Sequence, residues 1–168
     1  MKTLQMTNAA LLPEVIRMID NGHTVTLPLR GYSMRPFLED RRDKALLAAV
    51  DTPPAVGMPV LAEISPGRYV LHRIIRMDGD KVTLLGDGNI NPEYCSLSDI
   101  KAVAVAFYRK GRTAPDRTDG WKWRLYSWFW TRLRPIRRYL LFIYRKLWTR
   151  ATTTEKDRNT GDKRLTFT

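Results

Sequence analysis

Ser33 sits in Gly31-Tyr32-Ser33-Met34-Arg35-Pro36, directly after the strand-like run TVTLPL. A serine hydroxyl is a poor nucleophile until a neighbour takes its proton, so the question is which base could reach it. The chain holds two histidines, His23 and His72. His72 lies in YVLHRI, and side chains alternate along a strand, so it shares a face with Val70 and Ile74. On that position alone it is a satisfied core histidine or an ordinary surface one. The hairpin that follows adds chemistry. With a two-residue turn at Asp78-Gly79 or at Gly79-Asp80, Asp87 falls on the face of His72, diagonal in the first register and directly opposite in the second. A carboxylate there fixes the imidazole tautomer and stabilises the imidazolium. A three-residue turn would put Asp87 on the other face. Read alone, Gly86-Asp87-Gly88-Asn89 is a turn tetrapeptide.

The other reactive side chains make no site. Cys95 is the one cysteine, which excludes an intrachain disulfide and a thiolate metal cage. No metal-ligand spacing and no nucleotide or haem motif occurs, so no cofactor and no metal are expected.

The elements that must hold these residues are short. Thr7 or Asn8 can cap a helix running to about Asp20, with Leu11, Leu12, Val15, Ile16 and Met18 on one apolar side. Strands are expected over 23–29, 45–50, 58–64, 68–77, 81–87 and 102–110, with GNINPEY as a polar loop. Residues 1–110 therefore read as one mainly β domain, a compact coiled sheet or barrel-like unit with a short N-terminal helix. Residues 111–120, rich in Gly, Pro, Thr and Asp, read as a linker.

Taken together, G-x-S-M-x-P, then His72-Arg73-Ile74, then Gly86-Asp87-Gly88-Asn89 resemble the serine peptidase superfamily of type I signal peptidases and SOS-repressor autoproteases. The match covers roughly residues 22–110. The resemblance implies a signal-peptidase-type fold and an endopeptidase acting on a peptide or leader segment. Ser33 matches the nucleophile, in a box of Gly31, Tyr32, Ser33, Met34 and Pro36. His72 stands where the common bacterial branch has lysine, as in the archaeal and endoplasmic-reticulum branch. In that branch the third catalytic acid lies a few residues past the Gly-Asp-x-Asn loop, where this chain has Pro92-Glu93. Asp87 and Glu93 both stay candidates. Arg42 replaces the usual glycine before the first family aspartate, Met58 a commonly acidic residue, and Tyr32 a small or polar one. Gly31 stands where some members carry a hydroxyl, so the oxyanion hole would rest on backbone N–H groups, including Ser33's own.

The net charge of +12 is concentrated in one segment. Residues 1–120 hold 16 Lys/Arg against 14 Asp/Glu, whereas 121–150 hold nine basic residues and no acid. All five tryptophans fall between 121 and 148. Leu125, Phe129, Leu133, Ile136, Leu140, Ile143 and Leu147 recur at helical spacing, with Arg124, Arg134, Arg137, Arg138 and Arg145 mostly off that line and Pro135 a kink or a second start. This reads as a basic amphipathic helix or kinked helix pair, followed by a polar, disordered tail over 151–168. An anionic membrane surface is the first partner for it, through Trp121, Trp123, Trp128, Trp130, Arg134, Arg137, Arg138 and Trp148. Packing within the chain or on a partner protein ranks second. Nucleic acid ranks third, because the apolar side is too continuous for a phosphate groove. Neither a signal peptide nor a spanning stretch is read in the sequence, so the expected place is the cytoplasmic side, peripherally on a membrane.

Overall fold

The computed structural model describes residues 8–112, 114–133, 136–144 and 146. The expected cap at Thr7, the break at Pro135, Arg134, Arg145, Leu147, Trp148 and the tail over 151–168 lie outside the described residues. The chain divides into two units, Met1–Arg132 and Leu133–Thr168.

The first unit is mainly β. Helix α1 (Asn8–Asp20) is followed by β1 (Val25–Pro28), β2 (Lys44–Ala48), β3 (Pro59–Ser65), β4 (Arg68–Asp78), β5 (Lys81–Leu85), β6 (Glu93–Ser96), β7 (Ile100–Tyr108), β8 (Asp116–Arg117) and helix α2 (Trp121–Arg132). Among the described residues every strand pairing is antiparallel, in the order β1-β2-β7-β3-β4-β5-β6, with β8 on β7. The sheet is not closed, because its outer strands β1 and β6 do not pair with each other. Shifts of register in β2–β7, β3–β7, β3–β4 and β4–β5 let it coil.

Two apolar clusters follow from this coiling. Leu12, Val15 and Ile19 of α1 pack with Ala45, Leu47, Leu61, Ala102, Ala104 and Phe107. Ile19 is fully buried where Met18 was expected, and Met18 is half exposed. The second cluster joins Val60, Ala62, Ile74, Val82, Leu84 and Ile100. Met34 and Leu38 belong to the first cluster, so the segment around Ser33 is anchored by its own apolar neighbours.

The unit boundary differs from the one expected at residue 110. The stretch 111–120 contributes β8, and Trp123 of α2 is 4 % exposed within the first core. Its indole packs on Phe107 at 5.0 Å and edge-on to Phe37 at 4.9 Å. An aromatic with this much area gains about 2–3 kcal/mol from burial, which outweighs what a short linker would keep by leaving α2 free. The GNINPEY stretch, read as loop, ends in β6, which pairs with β5 through Leu84↔Glu93.

In the second unit, residues 137–144 are helical. Tyr139, Phe142 and Ile143 are exposed there, with Arg138 also exposed and Arg137 buried.

Candidate active site

The box around Ser33 is a succession of turns held from below. Arg35 N–H donates to the Tyr32 carbonyl (3.2 Å), and Leu38 N–H to the Met34 carbonyl (3.0 Å). Gly31 N–H donates to Asp40 Oδ1 (2.7 Å), and the Arg35–Pro36 peptide is cis. Arg35 pairs with the buried Glu39 carboxylate at 2.8 Å and lies 4.1 Å over the ring of the exposed Tyr32. Fully buried Asp43 closes the segment. Its carboxylate accepts from Glu39 N–H (2.9 Å), Lys110 N–H (3.3 Å) and the Arg42 guanidinium (2.8 and 2.7 Å). Burial alone would push this carboxyl up, but the Arg42 and backbone hydrogen bonds outweigh it and hold the group below its ordinary 3.8. Arg42 thus makes an ion pair with Asp43.

His72 is the last residue of β4 before β5 begins to pair, since that ladder starts at Arg73↔Leu85. The ring is 4 % exposed. Glu93 Oε2, at the start of β6, stands 2.7 Å from His72 Nδ1, and the other oxygen of that carboxylate meets Arg68 at 2.9 Å. Burial pushes the imidazole below its ordinary 6.5; Glu93 and Asp87 pull it back up, and Arg68 adds to the downward push. The ring is therefore neutral at pH 7. The two atoms are close but not aligned as a hydrogen bond, so it is the charge of Glu93 that favours the tautomer with its proton on Nδ1, which leaves the Nε2 lone pair to accept.

Nε2 faces the box. A methyl group placed on Gly86 would lie 3.0 Å from His72 Nε2 and 2.5 Å from the Ser33 carbonyl oxygen. One placed on Gly88 would lie 2.4 Å from the Tyr32 carbonyl oxygen, and Gly88 N–H donates to the Ser33 carbonyl at 2.7 Å. The turn over 86–89 is thus pressed against both the Ser33 segment and the His72 ring, with no room for a side chain at either glycine. Ser33 and His72 line one cavity of about 120 Å³, walled by Leu29, Arg30 and Gly31 on one side and by Tyr69, Val70 and Leu71 on the other. Ser33 Oγ makes no hydrogen bond to the ring. Such bonds commonly tighten only with substrate in place.

Asp87 is elsewhere. Its carboxylate accepts two hydrogen bonds from Arg73, at 3.0 and 2.7 Å, with both side chains buried. The reason is a bulge. The turn is Gly79-Asp80, with Asp78↔Lys81, the register that would set Asp87 opposite His72. The ladder then shifts between Ile74 and Arg76, so that Arg73 pairs with Leu85 and Asp87 takes the side of Arg73. Of the two candidate acids it is Glu93 that reaches His72. Sequence reasoning also missed Arg73 and Arg68, and the only signal for Arg73 was its place beside His72.

The tryptophans read as membrane-binding are divided. Trp123 and Trp130 are buried, at 4 % and 8 % exposure, and face inward. Trp121 and Trp128 are exposed, together with Leu125 and Phe129. Among the described residues no helix is long and apolar enough to cross a membrane, and no three His, Cys, Asp or Glu side chains are gathered to hold a metal. Compared with protein families, curated proteins and solved structures, the chain matches none.

Proposed function

We propose that this chain is a serine endopeptidase of the signal-peptidase type, with Ser33 as nucleophile, His72 as general base and then acid, and Glu93 as the group that orients His72. The observation that carries the reading is the line from Glu93 through the buried His72 ring to the turn packed on Ser33. Ser33 Oγ attacks the peptide carbonyl, and His72 Nε2 takes its proton and returns it to the leaving amine. Water then hydrolyses the acyl-serine by the same route. Ser33 N–H makes no hydrogen bond among the described residues, which leaves it for the oxyanion. The substrate is an extended peptide. The Arg68–His72 edge of β4 on the β5 side carries no ladder partner among the described residues, and Tyr69 to His72 line the cavity.

The missing Ser33–His72 hydrogen bond supports a second reading, a non-catalytic peptide-binding module on the same fold. Incubation with a diverse peptide library, followed by mass spectrometry of the products, separates the two. New termini with wild type and none with Ser33→Ala are expected. Equal products from Ser33→Ala, or peptide capture without cleavage, would leave the binding module.

The exposed Trp121, Leu125, Trp128 and Phe129, flanked by Lys122, Arg124 and Arg132, support peripheral binding to an anionic bilayer. Pelleting with phosphatidylglycerol vesicles should be lost in Trp128→Ser/Phe129→Ser. Unchanged pelleting rejects the membrane reading.

A further inference from the structure

The buried side of α2 does more than fill the core. Tyr126 O–H donates to Asp87 Oδ2 at 3.2 Å, and the Trp130 indole N–H donates to the Asp87 carbonyl at 3.1 Å. Ser127 Oγ accepts from Arg73, whose guanidinium also donates to the Gly57 carbonyl at 3.0 Å and lies 4.6 Å over the Trp123 ring. Asp87 is thus held through its main chain and its carboxylate. It is the second residue of the 86–89 turn; a methyl on either flanking glycine would strike His72 Nε2 or the carbonyls of Ser33 and Tyr32, and Gly88 N–H donates to the Ser33 carbonyl. Any slip of this turn moves base and nucleophile relative to each other.

From this geometry we infer that α2 is a positioning element of the catalytic site, with Tyr126 and Trp130 holding the turn through Asp87. The inference rests on the peptidase reading for its effect on rate, but not for its effect on His72. Misplacement of reacting groups by about 1 Å costs on the order of 10²-fold in rate, so kcat is the quantity at risk. KM is not, because neither residue lines the cavity beside Ser33.

The test uses the full chain with Tyr126→Phe and Trp130→Phe, each of which removes one donor and keeps a ring in place. Val15→Ala in α1 is the control, since it weakens the same core while leaving both α2 hydrogen bonds to Asp87 in place. In peptide hydrolysis the first two are expected to lose roughly ten- to a hundredfold in kcat with KM unchanged, and Val15→Ala to keep both. The second readout is NMR titration of His72. Its Nδ1 meets Glu93, the charges of Asp87 and Arg68 act on it from further off, and loosening of the turn admits water and moves its pKa up towards the ordinary value. A His72 titration unmoved in both variants, or moved as far by Val15→Ala, overturns the inference whether or not the chain cleaves peptides. Movement in the two α2 variants alone, with no hydrolysis by wild type, keeps the inference and removes the peptidase reading.

Discussion

Glu93→Gln keeps the size of the side chain and one acceptor oxygen, and removes the charge that faces His72 Nδ1 at 2.7 Å. On the proposed mechanism two effects are lost with it: selection of the Nδ1–H tautomer and stabilisation of the imidazolium that would form as Ser33 gives up its proton. For fully buried orienting carboxylates the combined loss is about 10⁴ in kcat. The Glu93 side chain is 22 % exposed and shares its charge with exposed Arg68, so water and Arg68 already weaken its hold on the ring. A loss of about 10²–10³ in kcat/KM is expected, equivalent to about 3–4 kcal/mol of transition-state stabilisation. The His72 pKa should fall further, since Glu93 is the main group raising it. Asp87→Asn is the contrasting variant. It breaks a buried, doubly hydrogen-bonded pair with Arg73, and such breaks cost about 3–5 kcal/mol of folding stability. Its melting temperature should drop by roughly ten degrees or more, while that of Glu93→Gln stays near wild type. The assays are hydrolysis of a quenched peptide at several concentrations and calorimetry. Wild-type kcat/KM in Glu93→Gln, within about threefold, would refute the assignment of Glu93.

Because burial depresses His72, the acid limb of kcat/KM should bend below about pH 6.5, and a limb bending above it would contradict a buried neutral base. The same depression makes a contribution to stability that is fully present above pH 6.5 and lost as the pH falls through the lower folded-state value, readable as urea midpoints against pH. Gly88→Ala drives a methyl to 2.4 Å from the Tyr32 carbonyl, which is backbone and cannot swing away, so about 1–3 kcal/mol of stability and most activity should go; calorimetry with unchanged melting would count against the packing described. Asp43 has a depressed folded-state pKa, so Asp43→Asn should flatten the loss of stability below about pH 3.8, and identical acid unfolding in the variant would show that its network contributes nothing.

Most of the sheet could be read in advance because its strands alternate and end at Gly, Pro or Asp. The site could be read only in part. Ser33 and His72 stood out by residue type. The partner of His72 depended on a register, and one extra residue in β4 between Ile74 and Arg76 exchanged Asp87 for Glu93. No local pattern announces such a bulge, since Ile75 suits a regular strand equally well. β6 was hidden because Asn89-Ile90-Asn91-Pro92 looks like loop into its first residue. In α2 the aliphatic line through Leu125 and Phe129 was visible, but it is the side left exposed. The side that packs is Trp123, Tyr126 and Trp130, aromatic residues that composition alone assigns equally to a core and to a bilayer interface.

The position of α2 in the chain also sets an order in time. A ribosome makes the sheet first, and by Tyr108 the Ser33 segment, His72, Glu93 and the 86–89 turn have all been synthesised. The side chains that brace that turn, Tyr126 and Trp130, come later. On the peptidase reading, the serine therefore stays idle until α2 has been made and has left the ribosome.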